Sequence, residues 1–477
     1  MKRLLLALVV FSVGLLALGE GGTAAAQGKP DAAQYTAETF LQWLEKHRDA
    51  GPDFKPGDVL VMPQDAEKIR PFIFPGYFEE MAYAPGYQVE VTAPKDHAPR
   101  RDYLECTEKL QGQVKLKQDG SLEGYVCGQP FANTALDPSD PTSGYKAAWN
   151  FDHRWQKTGL TGLNFLASWV RVGGEHTPPE IEQPPAAWGD GINYDGADWK
   201  WNTKDIYKGG GTFRRSLGTF YNRYYFANVP MFADNNYTVP GAPADVYWKE
   251  FTGFFSPYDA RGTAFIINRY TDPYRTDDAW AYVPSLRRVR RVSAEVKSDS
   301  LMGTDHTLED FYSFSGRPLE WEWKFHGWKD LLAIHDSRYS GEGSRYTGPN
   351  GWLPDDIWQV RKFAIMERIP TDPRHPYSRL YEAWDAENYD AWLMVAFDRK
   401  GRLWKIWEFQ KDWTEDFKRF KVMGPGTRAT NFQSIQVIDV QNGRGTIWNG
   451  YGTGYPELDL DYITRLYDLN RLTEIHR

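Results

Sequence analysis

The sequence contains few cysteines and has no excess of positive charge. Two cysteines among 477 residues are too few for the disulfide framework that stabilises small secreted domains. The 56 Lys and Arg residues are outnumbered by 64 Asp and Glu residues, so the formal net charge is −8. This balance argues against nucleic acid as a partner, because binding to phosphate backbones requires a basic surface that displaces counterions.

The sequence also lacks the short motifs of common catalytic sites. None of the nine histidines stands two or four positions from another, whereas a catalytic zinc normally takes two ligands from one short element. A Gly-x-Ser-x-Gly motif is absent, and Gly209-Gly210-Gly211 is not followed by the Lys and Ser/Thr of a phosphate-binding loop. We therefore predict no metal site and no cofactor.

Aromatic residues are abundant instead. The chain has 20 Trp, 28 Tyr and 26 Phe, which make up 16% of its residues. Large flat side chains favour pleated sheets and bind apolar or sugar-like ligands. With 41% hydrophobic residues, the composition predicts a folded globular protein rather than a disordered one.

The N-terminus has the pattern of a secretory signal peptide. Lys2 and Arg3 precede an apolar run over residues 4–18, which is shorter than the roughly 20 residues of a membrane-spanning helix. Small residues lead up to Ala26, so we predict a signal peptide of residues 1–26, with an uncleaved anchor helix as the alternative. The mature chain, residues 27–477, is expected to be soluble and periplasmic.

The two cysteines are predicted to form a disulfide. Cys106 and Cys127 belong to a chain addressed to a compartment in which disulfides persist. A catalytic redox pair would normally have the spacing Cys-x-x-Cys. We therefore expect a local structural bond.

The mature chain is predicted to be one large β domain with an extended N-terminal part. Residues 27–221 are expected to be helical and loop-rich, with helices near Phe40 and over 145–156, and a main strand meander is expected over 222–477. A hairpin is predicted over 113–127, around Asp119-Gly120. Residues 173–211 are rich in Pro, Gly, Asp and Asn and indicate a long surface segment.

The strand pattern is strongest in the second half. Apolar and polar residues alternate over 319–326, which predicts a strand with one face formed by Leu319, Trp321, Trp323 and Phe325. Further strands are predicted over 378–384, 391–397, 403–409, 435–440 and 446–449. The short loops between them favour antiparallel pairing. Such a sheet can curve around a cavity or stack on a second sheet; the many tryptophans favour the curved form.

A basic cluster follows a predicted strand that carries Trp280 and Tyr282. It consists of Arg287, Arg288, Arg290 and Arg291. Four guanidinium groups on an acidic protein form a local site suited to a carboxylate or phosphate head group or to an acidic partner. The alternative is that they form salt bridges to Asp277, Asp278 or Asp305.

Two neighbouring carboxylates are candidates for acid–base chemistry. Glu309 and Asp310 could supply the paired groups with which glycoside hydrolases work. The alternative is structural: Thr304 or Asp305 would cap a short helix, while Glu309 and Asp310 would be solvated or would face a basic neighbour.

Several short motifs, in this order and spacing, resemble the bacterial domain of unknown function 1329 family. They are Gly128-Gln129-Pro130-Phe131, Trp149-Asn150, Ser256-Pro257, Arg261-Gly262, Asp272-Pro273, Trp280-x-Tyr282-x-Pro284, Arg287-Arg288-Val289-Arg290-Arg291, Gly303-x-Asp305, Glu309-Asp310, Trp384-Asp385 and Leu403-Trp404-Lys405. The resemblance implies a mainly β fold similar to the LolA and LolB carriers: a large curved antiparallel sheet, or open half-barrel, with a few helices on its concave side. It implies no catalytic residues, and it suggests partnership with an inner-membrane exporter of the resistance-nodulation-division type or with an outer-membrane protein.

The resulting hypothesis is a periplasmic carrier of lipids or other hydrophobic cargo to or from the outer membrane, without catalysis. Ligand-binding residues are predicted among the strand aromatics, with packing in the core as the alternative; they are Phe265, Trp280, Tyr282, Trp321, Trp323 and Phe325. The arginine cluster would contact a head group or a partner. The competing hypothesis is a periplasmic glycan-binding protein or glycoside hydrolase that uses Glu309 or Asp310.

Overall fold

The computed structural model describes residues 31–155, 159–171, 207–292, 298–340, 343–413, 430–451, 460–470 and 472. The predicted signal peptide and nearly all of 173–211 lie outside these residues. The helices are α1 (Ala37–Lys46), α2 (Ala66–Ile69), α3 (Tyr77–Ala82), α4 (Arg101–Leu110), α5 (Ser143–Asp152) and α6 (Leu460–Leu466).

Strands dominate the fold. They are β1 (Val59–Val61), β2 (Gln88–Thr92), β3 (Lys115–Leu116), β4 (Leu122–Glu123), β5 (Gly159–Arg171), β6 (Thr212–Tyr225), β7 (Val246–Ser256), β8 (Ala264–Tyr270), β9 (Asp278–Val283), β10 (Arg288–Val292), β11 (Trp321–Ala333), β12 (Tyr346–Thr347), β13 (Leu353–Pro354), β14 (Ile357–Pro370), β15 (Tyr377–Asp385), β16 (Ala391–Asp398), β17 (Leu403–Trp413), β18 (Thr430–Asp439) and β19 (Arg444–Tyr451).

One sheet contains 15 of these strands. Its order is β1-β2-β14-β15-β16-β17-β18-β19-β5-β6-β7-β8-β9-β10, and β11 pairs with β14 outside this path. The pairing is antiparallel except between β2 and β14, which run parallel. The order ends at β1 and β10, so the described strands form an open sheet. The predicted class, a mainly β protein with a large antiparallel sheet, is confirmed.

The strands predicted between residues 378 and 449 form a consecutive antiparallel meander, and local turns explain it. β15, β16, β17 and β19 contain four of the predicted runs, and β18 contains all but the last residue of the run 435–440; the five strands pair consecutively. In the turn between β16 and β17, the Asp398 carboxylate accepts hydrogen bonds from the backbone N–H groups of Lys400 and Arg402, at 2.8 and 3.0 Å. Gly401 has a φ of 74°, which only glycine adopts without strain. The predicted start of the meander, near residue 222, falls within β6.

The alternating run predicted over 319–326 is a strand from Trp321 onward, but Leu319 is not part of it, because Pro318–Glu320 form a tight helical turn before the strand. In β11, Trp321, Trp323 and Phe325 are buried while Glu322 and Lys324 are exposed, because one face of the strand packs into a core. Both predicted helices are present. α1 begins after a Thr36 capping box, and α5 begins two residues before the predicted range 145–156 and ends at residue 152. The predicted hairpin forms a short ladder of β3 and β4.

The sheet is covered on both faces. Along β14, Phe363 and Ile365 belong to a first core that is completed by residues 32–91. Ala364 and Met366, between and beside them, belong to a second core that is completed by α5 and residues 311–314. A third core lies between β6–β9 and α6. The helices therefore pack on both faces of the sheet.

Candidate functional site

The six aromatic residues predicted to bind a ligand are divided between two cores. Phe265, Trp321, Trp323 and Phe325 belong to or pack against the second core, and Trp280 and Tyr282 do so in the third. The Trp323 ring contacts the Phe314 ring at 5.0 Å and the Trp384 ring at 5.6 Å. The six rings therefore do not line one common groove. Trp321 borders a cavity described below.

A first cavity, of about 250 Å³, has an aromatic wall. We call it the aromatic cavity. The ring-bearing and aliphatic residues of its wall are Leu122, Tyr125, Trp149, His153, Tyr247, Tyr270, Pro273, Pro318 and Leu319. The other lining residues are Gly124, Asp152, Asn228, Arg269, Thr271, Asp272 and Arg317. Trp149 Nε1 donates a hydrogen bond to the Gly120 carbonyl at 2.7 Å, and the Tyr125 hydroxyl donates to the Gly128 carbonyl at 2.9 Å. Because these polar ends are satisfied, the rings can offer their apolar faces to a ligand.

Two of the charged groups that line the aromatic cavity are arginines with a carboxylate partner. Arg269 pairs with Asp277 at 2.7 Å, and Arg317 Nε lies 2.9 Å from a Glu320 oxygen. His153 stacks on Tyr125 with ring centroids 3.9 Å apart. Burial lowers the pKa of His153 to about 3, so its imidazole is neutral near pH 7. The wall therefore combines aromatic rings with charged side chains, of which Arg269 and Arg317 are paired. Burial raises the pKa of the Asp152 carboxyl, which also lines the cavity.

A second cavity, of about 440 Å³, has a polar wall, and we call it the polar cavity. Glu309 and His375 face each other there at 3.0 Å, and Arg374 pairs with Asp372 at 2.8 Å. The Trp321 ring contacts the His375 ring at 4.9 Å. The other lining residues are Thr276, Ser298, Glu320, Pro370 and Thr371.

Asp310 lies outside the wall of the polar cavity. Its carboxylate accepts hydrogen bonds from the Tyr377 hydroxyl at 2.9 Å and the Thr307 hydroxyl at 2.8 Å. Arg368 lies 3.4 Å away, and Asp310 is 1% exposed. Both candidate carboxylates thus face basic neighbours, as the structural alternative expected, but they are buried rather than solvated. The expected cap is wrong for Asp305, which pairs with Arg444 at 2.7 Å.

The four predicted head-group arginines are exposed at one end of the sheet. Arg287 follows the turn after β9, and the other three lie on β10. Arg291 pairs with Asp278. The other two expected salt-bridge partners are engaged elsewhere, because Asp277 pairs with Arg269 and Asp305 with Arg444.

Other expectations concern the cysteines, metal binding and membrane spans. Cys106, on α4, and Cys127 are joined by a disulfide with Cα atoms 6.0 Å apart. Within the described ranges, no group of three or more His, Cys, Asp or Glu side chains is arranged to hold a metal ion. In the same part of the chain, we find no helix with the length and apolar character needed to cross a membrane.

Sequence reasoning missed most residues of both cavities. Trp149 stands in a family motif and on a predicted helix, but no local pattern shows that it lines the same cavity as Tyr247, 98 positions later along the chain. His375 had no signal at all, because its partner Glu309 is 66 positions away. Such neighbours are brought together only by packing.

The fold and the cavities together define a mainly β protein with an open, mostly antiparallel sheet and two cavities large enough for a small ligand. The chain belongs to the DUF1329 family, described as proteins of unknown function, whose model matches residues 61–183 and 185–461. This confirms the family resemblance. An uncharacterized protein of Pseudomonas aeruginosa, PA3922, is 23% identical over 235 residues, which are 46% of this chain and 51% of that protein. The match thus spans about half the length of this curated relative.

Three solved structures are similar to this chain. A putative outer membrane lipoprotein-sorting protein domain from Vibrio parahaemolyticus is 17% identical, with a TM-score of 0.41, covering 70% of this chain and 100% of that one. A DUF1329 family protein from Desulfovibrio piger is 17% identical, with a TM-score of 0.41, covering 68% and 97%. The LolA superfamily protein NE2245 from Nitrosomonas europaea is 11% identical, with a TM-score of 0.31, covering 66% and 92%.

Proposed function

We propose that this protein is a periplasmic binding protein that carries a lipid or another hydrophobic molecule to or from the outer membrane, without catalysis. The observation that carries the proposal is the aromatic cavity. Its volume of about 250 Å³ suits a short stretch of acyl chain or a small ring system. Each methylene group buried there contributes about 0.8 kcal/mol to binding.

We assign the proposed ligand contacts to the wall of the aromatic cavity instead of the six strand aromatics predicted from the sequence. Tyr125, in the loop after β4, Trp149 on α5 and Tyr247 on β7 present rings from three separate segments. The compensated ion pairs of Arg269 and Arg317 would lie beside a polar end of the ligand. Rings whose own polar atoms are already hydrogen-bonded lose little by excluding water, which favours an apolar ligand over a polar one.

The periplasmic location and the partners rest on the sequence. The signal-peptide pattern of residues 1–26 addresses the chain to the periplasm, and a disulfide between Cys106 and Cys127 suits that compartment. The family resemblance suggests delivery to or from an inner-membrane exporter of the resistance-nodulation-division type or an outer-membrane protein.

Binding to delipidated protein tests the proposal. The purified mature chain should release a lipid or other apolar compound, identified by mass spectrometry, and should then bind a fluorescent fatty-acid probe. Leu122→Trp fills the cavity and should weaken probe binding at least tenfold. Leu104→Trp is the matched control, since Leu104 is 37% exposed on α4. Delipidated protein that binds no apolar probe, or equal binding by the Leu122 variant, would contradict the proposal.

A second candidate, glycan binding or hydrolysis, has one observation in its favour. The larger cavity is polar, and Glu309 lines it together with Glu320 and Asp372. Hydrolysis needs a pair of carboxylates on either side of the bond, and Asp310 is turned toward Tyr377 and Arg368, so Glu309 would have to work with Glu320 or Asp372. Hydrolysis of cell-wall glycans by the wild type, lost in Glu309→Gln, would support this candidate; an inactive wild type would leave it without support.

A further inference from the structure

The turn between β9 and β10 projects a basic and partly apolar surface. We call residues 284–291 the arginine turn. Pro284–Leu286 form a tight helical turn, and the Arg287 backbone N–H donates to the Pro284 carbonyl at 3.0 Å. β10 is the last strand in the sheet order. Val289 and Val292 pack against the third core, so the hairpin is anchored from below while its tip extends outward.

The positive charge of this turn is largely uncompensated. Arg287, Arg288 and Arg290 are exposed, and the structure records no ion pair for them among the residues it describes. Arg291 pairs with Asp278, and Asp277 pairs with Arg269. Because the chain as a whole carries a formal net charge of −8, the arginine turn is a local positive site on an acidic protein. A negatively charged surface would therefore meet this end of the molecule first.

An apolar side chain stands at the point of the same turn. Leu286 is 46% exposed, directly before Arg287 in the sequence. An exposed leucine directly before two exposed arginines matches the boundary of a lipid bilayer, where phosphates lie just above acyl chains. An acidic protein would pair with the arginines but would give the leucine no apolar layer to enter. The combination of charge and apolar tip therefore favours a membrane over an acidic protein.

We propose that the arginine turn docks this protein on an anionic lipid surface. Arg287, Arg288 and Arg290 bind lipid phosphates through their guanidinium groups, while Leu286, which directly precedes them, enters the apolar layer below the phosphates. This docking surface is separate from the aromatic cavity and does not depend on which molecule the cavity holds. Vesicle binding and probe binding can therefore fail independently of each other.

Vesicle co-sedimentation tests the proposal. The mature chain should bind phosphatidylcholine vesicles that contain phosphatidylglycerol, should bind pure phosphatidylcholine vesicles much more weakly, and should dissociate as salt is raised. Each neutralised arginine should weaken binding about fivefold. Because R288S/R290S removes two charges that contact the anionic surface, this variant should also show a shallower salt dependence. L286S should weaken binding several-fold with the salt dependence retained.

Matched substitutions on α4 provide the controls. R101S/K109S removes two exposed positive charges, of which Arg101 is paired with Glu105. L104S replaces a leucine that is 37% exposed, compared with 46% for Leu286. These variants should bind vesicles like the wild type. No binding to phosphatidylglycerol vesicles, binding without salt dependence, or binding unchanged by R288S/R290S or L286S would overturn the proposal. So would retention by polyglutamate without any binding to vesicles.

Discussion

At the scale of single residues, Glu408 is a buried carboxyl whose pKa is strongly raised. It lies on β17 and is 1% exposed, and Gln410 Nε2 donates to it at 3.3 Å. Burial raises the pKa of Glu408 to about 8, so the folded protein keeps this carboxyl protonated near pH 7. The unfolded chain releases the proton near pH 4.5. Glu408 therefore contributes fully to stability below pH 4.5 and loses that contribution as the pH rises to 8.

The substitution Glu408→Gln should remove this pH dependence. Between pH 4.5 and 8 the wild type loses about 1.4 kcal/mol of unfolding free energy per pH unit through this group. The stability of the Gln variant relative to the wild type should therefore rise from pH 5 to pH 8 in guanidinium denaturation. Glu108→Gln, at an exposed position on α4, is the control and should follow the wild type. Parallel pH profiles of wild type and Glu408→Gln would contradict the assignment.

At the scale of elements, the contact between α5 and β11 depends on Gly144. A Cβ atom at this position would lie 2.2 Å from the Trp323 carbonyl oxygen, which is backbone and cannot turn away. Gly144→Ala should therefore lower the unfolding free energy by about 1–3 kcal/mol, although alanine favours a helix more than glycine does. Because α5 carries Trp149, the same variant should bind the apolar probe more weakly.

The control for this prediction is another glycine with free space. A Cβ atom at Gly112 would meet nothing within 4 Å, so Gly112→Ala should leave both stability and probe binding nearly unchanged. Denaturation midpoints of the two variants make the comparison. A Gly144→Ala protein as stable as the wild type would show that α5 can move away from β11 without cost.

At the scale of the whole molecule, residues 32–91 cover one face of the sheet, and we expect the chain to need this cover to stay soluble. Phe40 stacks on Tyr381 of β15 with ring centroids 4.2 Å apart, and β2 pairs with β14. A chain that begins at residue 93 would expose the first core, including Trp392 and Ile406. Exposure of so large an apolar face should cause aggregation and strong binding of a hydrophobic dye.

Removal of the disulfide is the contrasting change. Cys106→Ser/Cys127→Ser opens a loop with a sequence separation of 21 but leaves both faces of the sheet covered. This variant should lose roughly 3 kcal/mol of stability and should remain soluble and folded. Size-exclusion chromatography and dye binding distinguish the two cases; a soluble, monomeric truncated chain with no dye binding would refute the role of the cover.

The sequence by itself was sufficient for features that depend on near neighbours. The alternation of Trp321, Trp323 and Phe325 is a property of one strand, and the turn at Asp398 and Gly401 needs only a few consecutive residues. Local hydrogen bonds and side-chain periods set these elements, so β11, α1 and the β15–β17 meander could be predicted. The spacing of short motifs was likewise sufficient for the family.

Only the tertiary structure decided which faces are buried and where hollows remain. The pattern placed Trp323 and Phe325 on one face, but whether that face lines a groove or a core depends on α5 and Phe314, which pack against it. Both cavities join residues that are far apart in sequence, as Glu309 and His375 are. Local propensity carries no information about such contacts, because they form only when separate elements of the whole chain pack together.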